Sequence, residues 1–235
     1  MEWLTDPAFW LAVGQIILID ILLGGDNAVV IALACRRLPP DLRRKGIFWG
    51  TAGAILLRVV LIFFALTLLK LPALKLIGAL LLLWIGVKLM LPEDEGHGEI
   101  RASDKLLAAI KTIIVADLVM SVDNVIAIAG AAQTSNPSQQ MFLVVFGLLV
   151  SIPIIVWGSQ LVIKLMDRFP VIIVAGAMLL GWIAGGLLLG DPLLKTWVPE
   201  DAPKWWTWLA GAVGAVLVWL IGTMLQKRKP PPAAA

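Results

Sequence analysis

About seven blocks of roughly 20 mostly apolar residues follow one another along this chain, and that spacing constrains its fold more than any other feature. A helix of about 20 residues spans the roughly 30 Å of a bilayer's hydrocarbon. Only a backbone that satisfies its own hydrogen bonds can stay there, so blocks of this length read as membrane helices. They run from Phe9 to Cys35, Gly46 to Leu69, Ala73 to Leu91, Leu106 to Ala132, Met141 to Leu165, Val171 to Leu189 and Trp205 to Leu225. Between them stand Pro39-Pro40, Pro72, Pro92, Asn136-Pro137, Pro170 and Asp191-Pro192, which punctuate helices. Of the 235 residues 60% are hydrophobic and only 15% charged, with a mean hydropathy of +0.94. A soluble domain carries about a quarter charged residues, so this chain has too little polar surface to wrap itself in water. It reads as an all-α membrane protein with the lipid bilayer as its surroundings. A soluble enzyme and a disordered chain are excluded. So is a disulfide-stapled module, because Cys35 is the only cysteine.

The net charge of +3 and a pI near 9.2 could suggest nucleic acid. The basic residues instead gather at the ends of the apolar blocks, where orientation signals lie, and no nucleic-acid partner is expected. One side collects Arg36, Arg37, Arg43, Arg44, Lys45, Lys88, Arg101, Lys105, Lys111, Lys164, Arg168, Lys227, Arg228 and Lys229. The other holds Lys70, Lys75, Lys195 and Lys204. The excess predicts a multi-pass protein of the cell membrane, with its N-terminus outside and residues 226–235 as a cytoplasmic tail. The start carries Glu2 and Asp6 without a basic residue, so a cleavable signal peptide is not expected. Trp205, Trp206 and Trp208 are placed to anchor the last span at an interface. Between Pro92 and Asp104, Glu93, Asp94, Glu95 and Glu99 surround the lone His97, a loop read as solvated rather than metal-sensing.

Sliding the sequence on itself by 97 residues superimposes Asp20 on Asp117, Asp26 on Asp123, Asn27 on Asn124, Ile31 on Ile128, Ala32 on Ala129 and Gly50 on Gly147. After one inserted residue, Pro72 meets Pro170, Gly78 meets Gly176, Ala79 meets Ala177 and Trp84 meets Trp182. Residues 9–91 and 106–189 are therefore two copies of a three-helix repeat within a single membrane domain. Three spans is an odd number, so the second copy enters the membrane from the opposite side. Such inverted repeats are common in secondary transporters, whose sites lie near the midplane where the copies meet. The seventh helix, 205–225, falls outside the repeat and is expected to serve packing or homo-oligomerisation.

Ionisable groups inside spans are costly and point to function. The first span carries Asp20, Asp26 and Asn27, and the fourth carries Asp117, Asp123 and Asn124. Six residues of helix rise about 9 Å and turn through about 240° net, so the two aspartates of one span do not share a face. Convergence needs either an unwound helix, which Gly24-Gly25 would permit, or a partner reaching across. With the copies inverted, Asp20 and Asp123 are expected at an outer level, and Asp26 and Asp117 at an inner one. Two stacked carboxylate pairs would form a cation path with two stations. Oxygen donors without Cys or His suit hard cations such as Mn²⁺, Mg²⁺ or Ca²⁺. Neighbouring carboxylates raise one another's pKa, which makes proton exchange against the metal physically available. Arg58, inside the second span, is expected to lower the negative potential or to pair with one of the aspartates; the second copy has no basic counterpart. Two other readings compete. Aspartates could simply pair inside a packed bundle, but four carboxylates against one arginine leave too much charge unpaired. Intramembrane aspartyl proteases carry a Gly-x-Gly-Asp signature with a partner Tyr-Asp, whereas this chain reads Leu23-Gly24-Gly25-Asp26 and has no tyrosine, so no enzymatic activity is expected.

The segments Leu23-Gly24-Gly25-Asp26-Asn27-Ala28-Val29-Val30-Ile31 and Ser121-Val122-Asp123-Asn124-Val125-Ile126-Ala127 resemble the paired motifs of the TerC family, named for tellurite resistance. Trp84-Ile85-Gly86-Val87-Lys88 resembles it as well, and the likeness runs over nearly the whole chain. The family is similar in organisation to the lysine-exporter superfamily, with its inverted three-span repeats. The resemblance implies a metal-linked exporter, associated with Mn²⁺ efflux and with metal supply to secreted enzymes. It carries the family's acidic positions onto Asp20, Asp26, Asp117 and Asp123, with Asn27 and Asn124 beside them. It also implies no permanently bound cofactor, the divalent cation being the cargo. Tellurite names a phenotype, since a carboxylate-lined path would repel an oxyanion. Extra cytosolic domains of some relatives are missing from this sequence, so transport by the membrane core alone is the expectation. A membrane partner that metallates exported proteins, or an exporter of a cationic amino acid, are the alternatives.

Overall fold

The computed structural model describes residues 7–68, 73–91, 102–132, 140–196, 203 and 205–228. Among them the secondary structure is helical, with no strand. The helices are α1 (Pro7–Cys35), α2 (Pro40–Leu68), α3 (Leu74–Met90), α4 (Ala102–Ala132), α5 (Gln140–Arg168), α6 (Val171–Leu189) and α7 (Trp205–Arg228), with a 3₁₀ turn over Pro192–Thr196. The acidic loop around His97 and the Pro/Ala tail lie outside the described residues. Several helices start earlier or run longer than the apolar blocks, because hydropathy marks the hydrocarbon span while the helix continues into the polar zone. Thus α2 begins at Pro40 rather than Gly46, with proline at the first helical position and Asp41 in the first turn, both favourable there.

Pro40–Ile62, Val144–Arg168, Val171–Leu189 and Trp205–Lys227 are long and apolar enough to cross a membrane by length and composition. Large apolar side chains also point outward: Leu56 and Trp157 are each 68% exposed and Val171 71%. In water such surface invites aggregation. Against lipid it is the ordinary exterior of a membrane helix.

The chain divides into two compact units, Met1–Lys70 with Arg101–Lys164, and Leu71–Ile100 with Leu165–Ala235. Helices α1, α2, α4 and most of α5 fall in the first unit, and α3, α6 and α7 in the second. In the first unit Val13 and Ile16 of α1, Ile55 of α2, and Val144 and Leu148 of α5 form a buried cluster. Two glycines let helices close on isoleucine. Ile113 Cγ2 stands 3.2 Å from where a Cβ on Gly50 would be, and Ile16 Cβ stands 3.1 Å from that position on Gly147. The 97-residue offset turns Gly50 into Gly147 and Ile16 into Ile113, so it exchanges these two contacts. Such reciprocity is what a twofold relation between copies requires.

In the second unit α6 packs against both α3 and α7. Met90, Ala177 and Val218 form a buried cluster between them. The α6–α7 approach is backbone to backbone. A Cβ on Gly181 would lie 2.7 Å from the Gly214 carbonyl carbon, and one on Gly185 would lie 2.8 Å from the Gly211 nitrogen. Small residues spaced four apart are how membrane helices come this close. Trp182 and Trp208 meet edge to face at 5.6 Å, and Gln226 Nε2 donates to the Met90 carbonyl at 2.7 Å, satisfying the C-terminal end of α3. The seventh helix therefore packs within its own unit.

Asp191, fully buried after α6, caps α3 from a distance in sequence. It accepts from the backbone N–H groups of Ala73 at 3.2 Å, Leu76 at 2.9 Å and Leu193 at 2.8 Å. Burial acts to raise its pKa, but the backbone donors of Leu193, Leu76, Ala73 and Lys75 outweigh it and hold the carboxyl below its ordinary value. Asp191→Ala is expected to cost about 1–3 kcal/mol, read as a lowered thermal midpoint in detergent. A depressed carboxylate contributes its stability above the unfolded pKa near 3.9 and loses it as pH falls through the lower folded value. The gap between wild type and Asp191→Ala should therefore be full at neutral pH and shrink only in strong acid. A gap that is constant down to such pH would refute the cap.

Candidate cation site

Four helices of the first unit enclose a cavity with room for about one water-sized species. Asn27, Val30 and Ile31 of α1, Thr51, Ala54, Ile55 and Arg58 of α2, Ile113 and Asp117 of α4, and Ile155 of α5 line it. Most of this wall is aliphatic, so its few polar groups stand out.

Arg58 is 2% exposed and reaches from α2 to α4. Its Nη2 donates to Asp117 Oδ1 at 2.5 Å and its Nε to Ser121 Oγ at 3.0 Å. The Ser121 hydroxyl in turn donates to Asp117 Oδ2 at 2.9 Å. Ser121 follows Asp117 by four residues, one helical turn, which sets both on one face. Both carboxylate oxygens of Asp117 are thus engaged. Asn27 and Thr51 are different. Oδ1 and Nδ2 of Asn27 and Oγ1 of Thr51 are buried without a hydrogen-bond partner. Orphaned buried polar groups cost about 1–3 kcal/mol each, and a small polar occupant would relieve that. Thr51 precedes Arg58 by seven residues, two helical turns, so α2 aims both at the same space.

Asp26 lies beside this cavity, half-buried, with Oδ1 accepting from the Asn27 backbone N–H at 2.8 Å. It is within electrostatic reach of Asp117 and Arg58. The unwinding that Gly24-Gly25 would permit does not occur: α1 is helical without a break through Asp26, and no glycine among the described residues has a positive φ. Glycine permits a break but does not demand one, and helical hydrogen bonds are worth keeping in apolar surroundings. Between helices, Arg58 of α2 reaches across to Asp117 of α4. The side chains of Asp20, Asp123 and Asn124 lie outside the described residues, although their backbones are helical in α1 and α4. Among the described residues no three His, Cys, Asp or Glu side chains cluster as a metal site would. The oxygens that meet in the cavity come instead from an amide, a hydroxyl and one carboxylate. Sequence reading singled out Asn27, Asp117 and Arg58 but missed Thr51 and Ser121, whose signal was their helical spacing from Arg58 and Asp117.

The comparisons with known proteins fit this architecture. The chain is 42% identical over 182 residues to the uncharacterized membrane protein YjbE of Bacillus subtilis (strain 168), covering 77% of this chain and 81% of that one. It is 28% identical over 192 residues to the uncharacterized membrane protein YceF of the same strain, covering 78% and 72%. It is 27% identical over 186 residues to the UPF0053 inner membrane protein YgdQ of Escherichia coli (strain K12), covering 72% and 76%. No solved structure matches. The model of the integral membrane protein TerC family matches residues 5–230, nearly the whole chain, and on that match the protein belongs to the TerC family.

Proposed function

We propose that this protein is a transporter of the cell membrane that exports a divalent cation, with Mn²⁺ as the first candidate. The observation that carries this reading is the cavity in which Asn27 and Thr51 present buried, unpartnered oxygens beside Asp117, with Asp26 next to Asn27 on α1. Oxygen donors of carboxylate, amide and hydroxyl type suit a hard cation. The size of the cavity favours a dehydrated ion over a cationic amino acid, whose stem and two head groups need far more room. Asp26 and Asp117 would bind the cargo directly at the inner station, with Asn27 and Thr51 completing the shell. Asp20, Asp123 and Asn124 would form the outer station. Alternating access would expose the stations in turn, with protons exchanging against the metal on the carboxylates. The N-terminus would lie outside and the C-terminus in the cytoplasm, as the Lys and Arg distribution indicates. No covalent chemistry, permanent cofactor or nucleic-acid partner enters this account.

Flux into proteoliposomes tests it. Protein-dependent Mn²⁺ movement is expected with wild type, and in Asp26→Asn the rate should fall to that of protein-free vesicles. Mn²⁺ binding with no flux by wild type would overturn transport and favour a membrane partner that hands metal to exported proteins. Competition by lysine in the same vesicles would point to amino-acid export instead.

A further inference from the structure

The cavity is lopsided in a way that the repeat makes visible. Offsetting α2 by 97 residues places Ile155 at the position of Arg58 and Leu148 at that of Thr51. Ile155 lines the same cavity as Arg58. Leu148 is fully buried in the apolar cluster of the first unit. The first copy therefore contributes a fixed positive charge and a hydroxyl where the second contributes only hydrocarbon. Asp117 has a guanidinium aimed at it from α2, whereas the equivalent position of α5 carries the isoleucine Ile155.

A buried guanidinium is expensive to place, and its Coulombic gain rarely does more than offset the desolvation. Here it sits at the wall of a cavity that also holds unpartnered oxygens, where a cation would be drawn. A divalent ion in that space and the Arg58 guanidinium would compete for the same carboxylate. Resting on the transport reading above, we propose that Arg58 is a tethered counter-cation: it occupies Asp117 while the site is empty, and the cargo binds only by competing with it. Arg58 is in this sense a positioning residue that sets the affinity of one station. With no resident cation, a divalent ion would hold the Asp117 carboxylate with nothing to replace it on leaving. Arg58 returning to Asp117 and Ser121 supplies the replacement charge as the ion leaves. Because only one copy carries the arginine, the two stations differ in affinity.

The test is calorimetric titration of purified full-length protein in detergent with MnCl₂, paired with thermal melts with and without the metal. Arg58→Met is expected to bind Mn²⁺ at least about tenfold more tightly than wild type, because the internal competitor is gone. Arg58→Lys keeps the charge and should stay within about threefold of wild type. Ser121→Ala loosens the clamp without removing charge, and its affinity should lie between those of wild type and Arg58→Met. It also decides the matter if Arg58→Met does not fold. A merely structural arginine would give the opposite sign, since a disturbed site binds more weakly. Unchanged or weakened Mn²⁺ affinity in folded Arg58→Met, or in Ser121→Ala, overturns the proposal while leaving transport standing. If neither wild type nor Ser121→Ala binds Mn²⁺, the transport reading fails and this inference fails with it.

Discussion

Asp117→Ala is expected to destabilise the protein by about 3–5 kcal/mol, because it takes from the buried Arg58 guanidinium the carboxylate that accepts from its Nη2. For a chain of this size that corresponds to a thermal midpoint lowered by roughly 6–20 °C. Breaking a buried ion pair and replacing it have unequal costs. Removing one partner strands a charge in a low-dielectric interior, whereas removing both removes the desolvation penalty as well. The double variant Arg58→Met with Asp117→Leu should therefore be far closer to wild type than Asp117→Ala, a strongly non-additive cycle. Thermal melts in detergent read all the variants. Equal losses in Asp117→Ala and in the double variant would mean that the pair contributes packing rather than charge compensation.

The second large effect is expected in the other unit. Gly185→Val should cost at least about 3 kcal/mol and separate α7 from α6, because the new side chain would meet backbone rather than a movable side-chain end. At Gly185 an added Cβ already collides with the Ala210 carbonyl and lies 2.8 Å from the Gly211 nitrogen. Neither can yield without moving a whole helix. Gly186 is the internal control, since there a Cβ would touch only Thr207 Cγ2 at an ordinary 3.6 Å. Gly186→Ala should be neutral or gain up to about 1 kcal/mol from helix propensity. Cysteine crosslinking of α6 to α7, together with melting points, distinguishes the two. If Gly185→Val and Gly186→Ala behave alike, the close approach is not what holds these helices together.

Much of the architecture was legible in the sequence, for reasons that particular residues make plain. The bounds of α6 match the apolar block residue for residue, because Pro170 and Gly190 end the run sharply on both sides. Those of α2 were read short, since Arg43, Arg44 and Lys45 hide a helical turn that hydropathy scores as polar. The doubled Asp-Asn motif suggests a repeat, and its 97-residue offset exchanges the Gly50–Ile113 and Gly147–Ile16 contacts. Less legible were interactions between residues far apart. Asp191 looks like a turn residue, yet its work is to cap α3, 115 and 118 residues away along the chain. The Gly181 and Gly185 spacing was a visible signal for α6–α7 contact, but spacing alone does not name the partner helix.

The site shows the same division. The sequence pointed to aspartates within spans and to Arg58 as a counter-charge, and the structure pairs Arg58 with Asp117. What hydropathy and motif could not supply was the role of neutral residues. Thr51 and Ser121 are unremarkable in an apolar run, and only packing shows that one lines the cavity and the other bridges Arg58 to Asp117. At Gly24-Gly25 the sequence left a break open, and the continuous α1 closes that alternative, because conformational freedom permits a break without demanding one.

Anomalous diffraction from crystals soaked in MnCl₂ tests the central claim most directly. The account places a Mn²⁺ peak inside the first unit, at ligand distance from Asp26 or from the Asn27 and Thr51 oxygens, and absent from crystals of Asp26→Asn. A peak found only outside the first unit, or none at saturating metal in a protein that still moves Mn²⁺, would contradict it.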